Sequence, residues 1–216
     1  TMVLYGDSHA LMWFQAIDDI AKKAHWRFVI LGKGYCMANT YPPGSSRAGF
    51  PFNACRRWQR FALQRIRKID PDLVVLTQEV QAAPGGVSYT AAQWKQGMEQ
   101  TLDRVSGPHT KLVVLGNMPA INESPADCLA EHPDQVQQCS GPPLSRYKPY
   151  NQAEQQAVTA VGGRYIDVTP WFCSKTCSAV IGRYQPYLNQ LHVSAVYSVF
   201  LEQVLAEKLQ LSVAPR

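Results

Sequence analysis

The feature that most constrains this chain is a rhythm. Short apolar runs of buried-strand length alternate with longer amphipathic stretches from one end to the other. Residues 2–5, 26–31, 73–77, 112–115 and 164–166 read as strands. Helical spacing marks 10–24, 57–68, 91–105 and 151–161, with a last helix over about 195–210. Such alternation predicts an α/β fold. Several of the strands, Leu73-Val74-Val75-Leu76 above all, are unbroken apolar runs, as strands covered on both faces are. The expectation is a three-layer sandwich: a five-stranded parallel sheet with helices on both sides. The 216 residues suit one domain over 1–216, since domains commonly hold about 100–200 residues. No apolar run approaches the roughly 18 residues of a membrane helix.

Three long loops interrupt the rhythm, at 32–54, 117–149 and 169–194, and each of these regions carries two of the six cysteines in or beside it. Loops of that length are uncommon unless they are functional or tethered. The cysteines sit as Cys36 and Cys55, Cys128 and Cys139, and Cys173 and Cys177. None shows the Cys-x-x-Cys spacing of a zinc site, so no metal is expected. Many pairings are open to six cysteines, but joining nearest neighbours would brace all three loops. Bridged cysteines imply an oxidising, extracytoplasmic compartment; six reduced, buried thiols in a cytosolic protein are the competing reading. With no secretory-signal pattern at its start, Thr1 reads as the edge of a mature or excised piece.

In open parallel sheets, ligands bind beyond the carboxyl ends of the strands. There the first strand runs into Gly6-Asp7-Ser8-His9 and then a helical pattern. A serine on such a turn has backbone N–H groups and positive potential beside it, which a nucleophile needs for the oxyanion it creates. Helix capping by Asp7 or Ser8 would leave the same letters, and the tripeptide occurs by chance in about one chain in twenty of this length. A serine also needs a base. Of the five histidines, His25, His109 and His132 read as surface residues. His9 suits a cap or a substrate contact. His192 stands at the mouth of the last loop, just before the final helix, where the chain can return to the first strand's turn.

Gly6-Asp7-Ser8 after strand one, with a late histidine before the last helix, resembles the SGNH (GDSL-type) hydrolase superfamily. The nearer likeness is to the extracytoplasmic SGNH domain fused behind the membrane part of bacterial acyltransferase-3 proteins. It extends along the chain through Leu4-Tyr5-Gly6-Asp7-Ser8-His9-Ala10, Cys128-Leu129-Ala130 with Cys139, Ile166-Asp167, Trp171-Phe172-Cys173 with Cys177, and Tyr187 before His192-Val193-Ser194. The resemblance implies bridged cysteines, Ser8 as nucleophile, His192 as base, and Ser8's own N–H in the oxyanion hole. A glycine after strand two, Gly34 or Gly32, would add a second donor. The third, an asparagine in the family, is replaced here by Gln78 or less aptly Asn117. Asp7 and His9 are expected at the substrate. No cofactor is implied.

The family writes its last block Asp-x-x-His, whereas this chain has Asn189-Gln190-Leu191-His192. An aspartate there accepts the imidazole Nδ1–H, fixes the tautomer and stabilises the imidazolium. Asparagine can accept that hydrogen through its carbonyl oxygen. Turned the other way, its amide would leave Nε2 unable to take the serine proton. Three readings stay open: a serine–histidine pair oriented by Asn189, an aspartate supplied from elsewhere such as Asp167, or a weakened enzyme.

The expected function is an O-acyltransferase moving an acyl group, most simply acetyl, through Ser8 to a hydroxyl of a cell-envelope glycan or glycolipid. A membrane acyltransferase-3 domain would be its partner in a longer protein. A carbohydrate esterase and a non-catalytic glycan-binding module are the alternatives. The stretch 56–68 carries six basic residues around Trp58, Phe61, Ala62 and Ile66. It reads as an amphipathic helix with a solvated face, or as a site for an anionic membrane or polymer. Nucleic acid is a poor fit, with a net charge of only +5 and no recognition motif. Trp13, Trp94 and Trp171 suit either a sugar site or the core.

Overall fold

Each of the five expected strands forms, and the five pair in parallel. A computed structural model describes residues 1–40, 52–80, 89–121 and 123–213, so part of the expected loop 32–54 lies outside the described residues. The strands β1 (Met2–Gly6), β2 (Phe28–Gly32), β3 (Leu73–Thr77), β4 (Lys111–Leu115) and β5 (Arg164–Ile166) form one sheet in the order β2-β1-β3-β4-β5. The helices are α1 (Ser8–Met12), α2 (Phe14–Lys23), α3 (Phe52–Ile69), α4 (Ala91–Val105), α5 (Pro125–Glu131), α6 (Lys148–Ala160), α7 (Ala195–Phe200) and α8 (Glu202–Leu209).

The period-two alternation of side chains splits the core between the faces of the sheet. Met2, Leu4, Val75 and Val113 pack under α1, α2, α7 and α8. Val3, Tyr5, Val74 and Val114 pack under α3, α4 and α6. The central strands β1 and β3 are buried at every position, which is why they lack polar alternation. They stay paired to their ends, with Gly6 opposite Thr77. A Cβ on Gly6 would lie 1.8 Å from the Thr77 carbonyl oxygen, so the strand end that delivers Ser8 admits only glycine.

The structure corrects several element boundaries. The helix expected over 10–24 is two, α1 and α2, divided at Trp13, and the last helix is likewise divided at Leu201. Strand β2 starts at Phe28 rather than residue 26 because His25, at φ 58°, turns the chain left-handed and sends the Trp26 N–H back to the Ala21 carbonyl. Helix α5 forms inside the expected loop 117–149, with Pro125 in its first turn, where the missing N–H does no harm.

The cysteines pair as nearest neighbours: Cys36–Cys55, Cys128–Cys139 and Cys173–Cys177. The first bridge ties the turn after β2 to the start of α3, and the second staples α5 to the turn that follows it. Among the described residues no helix is long and apolar enough to cross a membrane.

Candidate active site

Ser8 opens α1 at the carboxyl end of β1 and is partly exposed. The residue before it holds the turn. Asp7 Oδ1 accepts the His9 N–H at 2.9 Å, and Oδ2 accepts the Glu79 N–H at 3.0 Å. One carboxylate therefore caps α1 and fastens it to the chain leaving β3. Burial pushes Asp7 up to about 7, against the pull of its two N–H donors. Its expected substrate role gives way to a structural one, since the carboxylate faces inward and is 1 % exposed.

His9 is corrected in the same way. Its ring is buried and meets His192 edge to face, with centroids 5.3 Å apart. Neither ring nitrogen has a hydrogen-bond partner among the described residues. Burial, and then the neighbouring His192, hold His9 down to about 3, so the ring is neutral, and at 2 % exposure it offers little surface to the expected substrate contact. One turn on, Met12 Sδ lies 3.4 Å from the Val193 N–H. The face of α1 that carries His9 and Met12 thus seats the loop bearing His192. Among the described residues no hydrogen bond joins Ser8 to His192, and such bonds are often long before substrate is bound.

The orientation of His192 follows from Asn189. Asn189 Oδ1 accepts the backbone N–H of Leu191 at 2.9 Å and of His192 at 3.0 Å. Only an oxygen can receive both, so the direction of the amide is fixed by the backbone. The same oxygen faces His192 Nδ1 at 3.0 Å. Nδ1 must therefore carry the hydrogen, which leaves Nε2 of the neutral ring with its lone pair. Burial lowers the His192 pKa from its ordinary value. Asp167 is not the orienting group; its Oδ1 takes the Thr169 N–H at 2.9 Å.

The oxyanion candidates part company. The turn holding Gly34 closes on the end of β1, through Lys33 N–H to the Gly6 carbonyl at 3.1 Å. Among the described residues, a Cβ on Gly34 would meet nothing within 4 Å, so the turn is open at that position. Gln78 is withdrawn from this role. Its Nε2 donates to Glu154 Oε1 at 3.0 Å and lies 2.8 Å from Met98 Sδ, while its Oε1 accepts the Asn39 N–H at 2.7 Å. Asn117 ties the chain leaving β3 to α6, accepting the Val80 N–H and donating to Asn151 Oδ1.

Sequence reasoning missed Glu154, the hub of that buried network, which also accepts Trp94 Nε1–H at 3.1 Å. Burial pushes its carboxyl up to about 7, against its two hydrogen bonds. A signal was present: Glu154 shares the inward stripe of α6 with Ala153, Ala157 and Val158, where a carboxylate is out of place. Trp13 and Trp94 are core residues and Trp171 packs edge-on against Trp13, so none of the three is assigned to a sugar.

A cleft of about 540 Å³ opens at the same carboxyl edge, beyond β4 and β5. Pro119, Pro143, Tyr147 and Tyr165 give it flat apolar surface, while Lys148, Asn151, Gln152, Gln155 and Asp167 give it polar groups. It lies two strands from the Ser8 turn, about 10 Å at the usual strand spacing. Among the described residues no group of three or more His, Cys, Asp or Glu gathers to hold a metal.

Five parallel strands in this order, with a capped serine at the first strand's turn, define an SGNH-hydrolase-like α/β protein. The chain belongs to the family of SGNH domains fused to AT3 domains, whose model matches residues 1–207. No curated protein matches it in sequence. Among solved structures it resembles the periplasmic domain of the Salmonella ser. Paratyphi A lipopolysaccharide acetyltransferase, with TM-score 0.76 and 16 % identity over 97 % of this chain and 83 % of that one. A lipase/acylhydrolase from Enterococcus faecalis gives TM-score 0.61 at 14 % identity, covering 100 % of this chain and 97 % of its own. A carbohydrate acetylesterase family member from Sinorhizobium meliloti gives 0.58 at 16 %, covering 97 % and 99 %. Fold and family together tie the chain to acyl-transfer and ester chemistry.

Proposed function

We propose that the chain is the O-acyltransferase domain of an envelope-modifying enzyme, with Ser8 as nucleophile and His192 as base. The observation that carries the reading is the Asn189 oxygen on His192 Nδ1, beside the turn that bears Ser8. Ser8 Oγ attacks the donor's acyl carbonyl as its proton passes to His192 Nε2. The oxyanion is held by the backbone N–H groups of Ser8 and Gly34. Collapse breaks the donor ester bond, and His192 returns the proton to the departing alcohol. An acceptor hydroxyl then gives its proton to His192 Nε2 and attacks the acyl-Ser8 ester; collapse breaks the acyl–Oγ bond, and His192 returns the proton to Ser8 Oγ.

The acceptor lies in the cleft over β4 and β5. Sugar hydroxyls both donate and accept hydrogen bonds, and so do the carboxamides of Asn151, Gln152 and Gln155. The tyrosine and proline surfaces suit the apolar faces of a pyranose. An envelope glycan or glycolipid is the acceptor class this favours. The three disulfides and the likeness to a periplasmic acetyltransferase domain support an extracytoplasmic site of action beside a membrane acyltransferase-3 domain.

The test is intact mass after treatment with a serine-directed fluorophosphonate, followed by product analysis with an activated acetyl ester and added oligosaccharide. One label on the wild type is expected, and none on Ser8→Ala. His192→Ala should slow labelling and acyl transfer by at least about 10³-fold. Labelling that persists in Ser8→Ala overturns the assignment. Release of free acid alone with every acceptor removes the transferase and leaves an esterase.

A further inference from the structure

The charge of this protein is concentrated on one helix. Arg56, Arg57, Arg60, Arg65, Arg67 and Lys68 all lie on α3, which contains no carboxylate. The whole chain carries +5 and this helix alone +6, so everything else together sums to −1. A solvated helix in an otherwise mixed surface would carry both signs, as the Lys22–Asp18 and Lys95–Glu99 pairs on α2 and α4 do. Arg57, Arg60, Arg65, Arg67 and Lys68 are exposed and form no ion pair among the described residues.

The same face carries an apolar group. The inner stripe of α3, Ala62, Leu63 and Ile66, is buried under the sheet. Phe61 points away from it, 52 % exposed between the cations, with its ring 5.5 Å from that of Trp58. An acidic polymer in water would satisfy the charges and leave Phe61 wet. A bilayer surface answers both, offering anionic headgroups to the cations and the headgroup–acyl boundary to the ring.

We propose that α3 is a membrane-docking face that lies flat on anionic lipid, with Phe61 inserted at the interface. At 18 residues the helix is about 27 Å long, enough to set its cations on several headgroups at once. The Cys36–Cys55 bridge joins its first turn to the loop that holds Gly34, so docking also orients the carboxyl edge of the sheet along the surface. The inference does not depend on any catalytic role of Ser8.

The experiment is sedimentation of the 216-residue chain with vesicles of phosphatidylcholine alone or mixed with phosphatidylglycerol, over a range of salt. Binding is expected only to the mixed vesicles, weakening as salt rises. Each cation removed should lower affinity about fivefold, so Arg57→Ser/Arg60→Ser/Lys68→Ser should lose about 100-fold. Phe61→Ser alone should lose several-fold. A control with the same charge change elsewhere, Lys111→Ser/Lys175→Ser/Arg183→Ser, should stay within about threefold. Circular dichroism and thermal unfolding should match wild type in the α3 variants. Equal binding to neutral vesicles, or equal losses in the control, overturns the proposal. So does retention on heparin without vesicle binding, which would assign the face to a soluble polyanion.

Discussion

Two turns hold the two halves of the site, and they are built alike. Asp7 precedes Ser8 and accepts two backbone N–H groups; Asn189 precedes His192 by three residues and also accepts two. Their surroundings are opposite. Asp7 is sealed between β1 and the chain leaving β3, while Asn189 is exposed on a loop fixed by the Leu188 N–H to His192 carbonyl bond and the seat on α1. The ionisable group is the buried one, and the neutral amide is the exposed one beside His192. The contrast teaches that the serine half is held by the core, whereas the histidine half is held by local hydrogen bonds and can be altered without loss of the fold.

The largest expected effect breaks the buried half. Asp7→Ala leaves the His9 and Glu79 N–H groups without their acceptor inside the protein, at about 1–3 kcal/mol each. A loss of roughly 4 kcal/mol is expected, or about 10 °C in Tm at this chain length. Asn189→Ala, whose lost bonds are open to water, should cost about 1 kcal/mol or less. Denaturant unfolding of the two variants makes the comparison. Equal losses would mean that the two turns are not held differently.

Next in size is a pH effect on the same buried side. Glu154 is held up to about 7, above its ordinary 4.5. A carboxyl raised by folding binds its proton more tightly in the native state. Its contribution to stability is therefore complete below about 4.5 and is lost as pH rises through about 7. Glu154→Gln keeps the oxygen that Trp94 and Gln78 address and has no proton to lose. The stability of wild type relative to this variant should fall by roughly 3 kcal/mol between pH 4.5 and 7, then level off. Denaturation midpoints across that range measure it, and a flat difference would mean that Glu154 ionises without penalty. His9, held low, contributes the opposite slope in both proteins and cancels in the difference.

The same contrast explains what could be read in the sequence. The sheet was legible because β1 and β3, covered on both sides, leave unbroken apolar runs, and Ser8 was legible because a strand ends and a helix begins around it. The cap made by Asp7 was legible as an alternative, but its second bond was not, because the Glu79 N–H comes from the chain leaving β3. Gln78 failed for the same reason: its partner Glu154 lies on a helix far along the chain. Asn189 and His192 were paired only through a family likeness. Which end of the amide meets the ring was decided by the backbone N–H groups of Leu191 and His192, and a residue string does not carry that geometry.

The smallest effect sharpens the exposed half. Because Asn189 already sets the Nδ1–H tautomer, Asn189→Asp adds only charge. In a serine protease, replacing the triad aspartate by an asparagine that imposes the wrong tautomer costs about 10⁴ in kcat. That figure is an upper bound here, where the tautomer is already right, and a gain of about tenfold in kcat is expected. The carboxylate would also stabilise the imidazolium and raise the His192 pKa, which burial now keeps below its ordinary value. The acid limb of the kcat/KM profile should therefore move to higher pH in Asn189→Asp, because the base is protonated sooner as pH falls. The fold should not change, since aspartate accepts the same Leu191 and His192 N–H groups. A faster enzyme with a raised acid limb would show that His192 works with Asn189 as its sole orienting partner. An unchanged rate and an unmoved limb would mean that His192 is not the base, and the exposed turn would then be structural like the buried one.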